Sequence, residues 1–177
     1  AAASTDHQVS FWPLAGLGAG ATVPPVVITP SGEDVTYGLT IHPSWPWLVT
    51  GGDALRVWRL NRDALAAGAA TTPRQAGAAR VLPWTGPPVM LAAFRPGGEL
   101  LTVDAGGGIA LWNLAVDPPA ARVVRAGEPV PADGWGPMKG AARHRDTVLL
   151  AFGDALAVRS LADSSTQALT APASSVA

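Results

Sequence analysis

Apolar and polar positions alternate along this chain in short runs, and one such run occurs four times. The copies read DHQVSFWPL (residues 6–14), GGDALRVWRL (51–60), GGGIALWNL (106–114) and GDALAVRSL (153–161). Each opens on a turn and continues as a strand in which Val9/Phe11, Leu55/Val57, Ile109/Leu111 and Leu156/Val158 share one face. The alternate positions carry Trp12, Trp58 and Trp112, with Arg159 in the fourth copy. A two-residue period with apolar groups on both faces marks a strand covered on both sides. The Trp or Arg position recurs at intervals of 46, 54 and 47 residues. That spacing belongs to an array of sheet units, none of which can bury its faces alone.

The likeness extends upstream. Residues 42–58, HPSWPWLVTGGDALRVW, lie over residues 143–159, RHRDTVLLAFGDALAVR, without a gap, and over residues 95–112, RPGGELLTVDAGGGIALW, with one insertion. An apolar strand therefore precedes each turn, at residues 48–50, 100–103 and 148–151. Ahead of it lies another apolar segment: YGLTI (37–41), VMLAAF (89–94) or PMKGAA (137–142). A fourth follows the Trp strand after a variable loop: VPPVVITP (23–30), ARVLPW (79–84), ARVVRA (121–126) and TQALTA (166–171). Four short strands joined by Gly, Pro and Asp turns predict a four-stranded antiparallel meander, the unit of a β-propeller blade.

The chain resembles the WD-repeat (WD40) propeller family. The resemblance rests on an apolar strand, a Pro-Gly turn (Arg95-Pro96-Gly97-Gly98), a second apolar strand, then Asp/Gly and a Trp-ended strand, and it covers nearly all of residues 6–171. Three departures stand out. No Gly-His pair precedes the first strand, Pro13, Arg59 or Asn113 follows the Trp where the family prefers Asp, and Arg159 replaces the fourth Trp. These bear on the family's buried hydrogen-bond network rather than on the blades. The fold class expected is all-β, with about three and a half blades divided at residues 6–30, 31–84, 85–127 and 128–171 and a tail at 172–177. On this count the chain opens at the third strand of a blade and supplies about half of a seven-bladed ring. It reads as a piece of a larger polypeptide, completed by the remainder of the propeller on the same or a nicked chain.

Composition narrows the picture only a little. The 177 residues are 48% hydrophobic, enough for a sizeable core. Twelve basic and 13 acidic residues leave a net charge of −1, without the basic stripe that nucleic-acid binding needs. With no cysteine, disulfides, thiol chemistry and Cys-based metal sites are excluded. No apolar run reaches the roughly 18 residues of a membrane span. One lysine among many arginines, with abundant Ala, Gly and Pro, suggests a GC-rich bacterial genome, and a cytoplasmic location is the expectation.

Candidate chemistry is sparse. GLGAGA (16–21) resembles a phosphate-cradling glycine loop, but Thr22-Val23-Pro24-Pro25 cannot begin the helix such a loop requires. The longest insertion, residues 61–80, has room for one or two helical turns at 62–67. The histidines His7, His42 and His144 fall at different blade rims and read as solvated turn residues. The innermost strands, at 36–41, 89–94 and 136–142, hold no Asp, Glu or His, whereas metal-assisted hydrolysis needs several converging ligands. Asp53, Asp104 and Asp154 recur at blade turns, where structural capping is the simpler reading.

The expectation is therefore a non-catalytic segment without cofactor or metal. The family resemblance implies a protein-interaction scaffold or sensor, in the context of a larger bacterial signalling protein whose partner is another protein or domain. Two alternatives stay open: an enzymatic propeller with its catalytic residues in other blades, and a structural subunit completed by another chain. Candidate interaction residues are Trp45, an aromatic at a turn tip, together with Arg62, Arg74, Arg143 and Arg145.

Overall fold

The computed structural model describes residues 2–3, 9–11, 26–28, 35–44, 46–60, 79–116, 119–125, 138–153, 155–162 and 166–170, and these form only strands, turns and irregular chain. The strands are β1 (Ala2–Ala3), β2 (Val9–Phe11), β3 (Val26–Ile28), β4 (Thr36–Ile41), β5 (Trp47–Gly52), β6 (Arg56–Arg59), β7 (Arg80–Val81), β8 (Val89–Phe94), β9 (Leu100–Asp104), β10 (Ile109–Asn113), β11 (Ala120–Arg125), β12 (Met138–His144), β13 (Thr147–Phe152), β14 (Ala155–Ser160) and β15 (Thr166–Thr170). They assemble into a three-stranded sheet, β1-β2-β3, and three four-stranded sheets in sequence order, β4 to β7, β8 to β11 and β12 to β15. The pairings are antiparallel throughout the ladders described. Each four-stranded meander has the construction of a propeller blade. The chain divides into two compact units, Ala1–Phe94 and Arg95–Ala177.

Three details differ from the expectation. The opening sheet has a third strand, because Ala2 and Ala3 pair with Ser10 and Val9. The innermost strand of the last sheet runs to His144 instead of stopping near residue 142, since the hairpin keeps pairing until His144 meets Thr147. The repeat alignment also shifts. Trp58 lies opposite Leu48, Trp112 opposite Leu100 and Arg159 opposite Val148. Structural equivalents are thus Thr50, Thr102 and Leu150, and the connecting hairpin lengthens by one residue from the first sheet to the last and by two to the middle one. Turn length is free to vary where the ladder is not, because only the ladder carries the side-chain register.

Within the first unit, Val9, Leu48, Trp58 and Leu60 form a buried cluster, with Leu39 and Ala79 packed on it. Sheets approach closely enough there to require glycine. An ideal Cβ at Gly38 would lie 3.0 Å from the Ala92 backbone nitrogen, and one at Gly51 would lie 2.7 Å from Val89 Cγ1. The central strands β9 and β10 of the third sheet are buried along almost their whole length. This is the two-sided cover that the tryptophan pattern predicts.

Candidate interaction site

A repeated internal bond holds the strands that position the turns. In the second sheet the Trp58 indole nitrogen donates to Thr50 Oγ1 at 3.0 Å, and in the third the Trp112 nitrogen donates to Thr102 Oγ1 at the same distance. All four residues are buried. The large rings fill the inter-sheet space, and the threonine hydroxyls satisfy the one polar group those rings carry. In the last sheet both partners are replaced, by Arg159 and Leu150. The buried Arg159 guanidinium donates instead to the backbone carbonyl of Gly107, a residue of positive φ, 78°, in the turn before β10.

That turn is capped as the sequence suggests. The Asp104 carboxylate accepts from Gly108 N at 2.8 Å, while its carbonyl accepts from Gly107 N at 2.9 Å. Asp53 is exposed, and Asp154 lies outside the described residues. His42 departs from the expectation of a solvated turn residue. It is 5% exposed, edge-on to Phe94 at 4.6 Å between ring centroids, with Nδ1 accepting from Ser44 N at 3.1 Å. It follows β4 directly, with its N–H donating to the Trp47 carbonyl at 2.9 Å, and the rings of Trp47 and Phe94, both edge-on to the imidazole, account for the burial. His144 is exposed, and His7 lies outside the described residues.

Of the five candidate interaction residues, Arg143 and Arg145 come together; Trp45, Arg62 and Arg74 lie outside the described residues. Arg143 is near the end of β12, and Arg145 with Asp146 forms the two-residue turn into β13. Beside them is the Pro-Gly turn into β9, closed by Gly98 N donating to Arg95 O at 2.9 Å and Arg95 N donating to Glu99 O at 2.8 Å. Together Arg95, Pro96, Gly97, Glu99, Arg143, Arg145 and Asp146 line a groove of about 480 Å³. Arg95 bridges its two sides, with one terminal nitrogen 3.2 Å from Glu99 and the other 3.1 Å from Asp146. Arg143 Nε donates to the Arg145 carbonyl at 2.8 Å. Being partly exposed, the two ion pairs contribute about 0–1 kcal/mol each, so they orient the groove more than they stabilise the fold.

Three guanidinium groups face two carboxylates here, which suits polar recognition. Arg95, Glu99 and Asp146 were not among the sequence candidates. The available signal was the overlay of the Arg95 turn on the Arg143 turn, two tips at the same place in successive repeats. Among the described residues, no group of three or more His, Asp or Glu side chains could hold a metal ion. No helix among them is long and apolar enough to cross a membrane.

No protein-family model matches the chain, and no curated protein matches it. Among solved structures it is similar to the crystal structure of Saccharomyces cerevisiae Sqt1, at 16% identity and a TM-score of 0.47. The match covers 78% of this chain and 35% of that one. Likeness at that level carries no argument about function.

Proposed function

We propose that these sheets are blades of a WD-type propeller that serves as a non-catalytic scaffold, presenting its turns to another protein or domain. The observation that carries the reading is the indole–hydroxyl bond repeated at equivalent positions, Trp58 to Thr50 and Trp112 to Thr102. The same internal bond recurs beneath turns of different length and charge, which is how a repeat fold keeps its scaffold constant while its surface varies. A setting within a larger bacterial signalling protein belongs to this proposal and rests on composition and on the family resemblance. The test is isolation of the native protein from its own cells with cross-linking. A stoichiometric partner cross-linked at the sheet-end turns is the expected outcome; a chain that isolates alone, or that turns over a substrate unaided, refutes the reading.

A second part of the proposal concerns the remainder of the propeller. Leu149 and Leu156, on β13 and β14, share one face and are 38% and 41% exposed, whereas their equivalents Val49 and Leu101, and Leu55 and Ile109, are at most 3% exposed. The open apolar face fits a further sheet packed upon it, on the same or another polypeptide. Residues 1–177 expressed alone should therefore self-associate, and Leu149→Glu should reduce that association in sedimentation velocity. A monodisperse parent, or a variant that associates as strongly, would count against the idea.

A further inference from the structure

We infer that the groove between the Arg95 and Arg145 turns is a docking site for an acidic peptide segment of a partner protein, with Arg145 as its principal anchor. This deepens the scaffold reading and rests on it. The inference begins with the backbone. Arg145 has φ 52° and is the one non-glycine residue of positive φ among those described. It occupies the first position of a two-residue hairpin turn, between the paired residues His144 and Thr147. Such turns favour Gly, Asn or Asp, because a Cβ crowds the backbone at positive φ. An arginine therefore works against the turn it sits in, and strained positions of this kind collect at binding sites.

The side chains then say what is bound. Arg145 is exposed, and among the described residues none takes a hydrogen bond from its guanidinium. Arg95 is committed to Glu99 and Asp146 on its two terminal nitrogens. Arg143 is oriented by its Nε bond to the Arg145 carbonyl, a bond that does not depend on the Arg145 side chain. The groove thus offers an arginine fork on a fixed base, a geometry matched to a carboxylate.

Glu99 and Asp146 narrow the choice of ligand. Their charges leave the groove only one positive charge in excess and repel a dianionic phosphate more than a carboxylate. They also interrupt the row of cations that tracking a nucleic-acid backbone requires. The apolar stems of Arg143 and Arg145 with Pro96 give a peptide backbone something to lie against.

The experiment uses the full chain and a fluorescein-labelled peptide of ten glutamates, read by anisotropy, with a glutamine peptide of the same length as control. The glutamate peptide should bind more tightly, and more weakly as salt is raised. Arg145→Gly and Arg143→Gln should each weaken it by about fivefold or more. Arg145→Gly should leave the Tm unchanged or raise it, which a merely structural arginine would not do.

Four results would overturn the inference: equal binding of the two peptides, undiminished binding by Arg145→Gly, a fall in Tm on that substitution, or tighter binding of a phosphoserine peptide or single-stranded RNA. Its failure is separable from that of the scaffold reading. A native partner retained equally by the Arg145→Gly chain removes the groove and keeps the scaffold, while the peptide measurement decides the groove even where no partner co-purifies.

Discussion

The third and fourth sheets solve one packing problem in two ways. In the third, a large ring and a hydroxyl share the core: Trp112, 1% exposed, donates to Thr102. In the fourth, Leu150 cannot accept a hydrogen bond, and the position opposite Val148 holds Arg159, which reaches the Gly107 carbonyl. The tryptophan and threonine are thus absent together. An indole placed over Leu150 would bury an unpaired N–H, and a threonine beneath Arg159 would have lost its donor. The turns differ in parallel. The third sheet places Gly98 at φ 84°, whereas the fourth places Arg145 at φ 52°. One sheet follows the local rules of packing and turns, and the other departs from them in its core and at its rim.

The largest expected effect tests whether the ring carries the third sheet. Trp112→Ala removes a fully buried indole and should destabilise the chain by about 3–5 kcal/mol in urea unfolding. A loss below about 1 kcal/mol, the scale of an ordinary surface change, would mean the sheet is held by its leucines and that the comparison with Arg159 concerns ornament.

A double-mutant cycle at the fourth sheet sharpens the comparison. Arg159→Trp alone should destabilise, since the indole would find Leu150 and leave its N–H unmet. Leu150→Thr alone should also destabilise, by replacing a fully buried methyl-bearing side chain with a hydroxyl. Combined, they should recover about 1 kcal/mol relative to the sum of the two, the worth of one buried hydrogen bond. Strict additivity would break the argument that the pair is a unit.

Much of this arrangement was legible in the chain. The two-residue period around Trp58 and Trp112 identified the strands, and Gly106-Gly107-Gly108 with Asp104 identified a capped turn, because both signals are local. Register across hairpins was not legible. Overlaying residues 42–58 on 143–159 without a gap placed Thr50 over Ala151, whereas the ladders place it over Leu150, since a turn absorbs an extra residue without disturbing the apolar pattern on either side. His42 was misread for a different reason: it does lie just past the end of β4, but Phe94, which packs against it, comes from the neighbouring sheet, and spacing within one repeat does not report that contact. Arg145 was identifiable as a rim arginine, but its backbone conformation was not, because an arginine carries no signal of positive φ. The groove itself joins turns that lie far apart in sequence, and single-chain patterning does not report which tips come together.

The smallest expected effect concerns those tips, and it carries opposite signs in the two sheets. Gly98→Ala puts a Cβ on a residue at φ 84° and should cost about 1 kcal/mol. Arg145→Gly relieves a similar conflict at φ 52°, but glycine also gains freedom in the unfolded chain, so the net gain should lie between about 0 and 1 kcal/mol. The Arg143 bond to the residue 145 carbonyl survives the change, because its acceptor is backbone. Nor are the Arg95 ion pairs touched, since their acceptors are Glu99 and Asp146. The sign of the second measurement therefore isolates backbone strain from lost contacts. Losses at both turns would mean that Arg145 supports its hairpin, and the rim of the fourth sheet would then follow the same rule as the rim of the third.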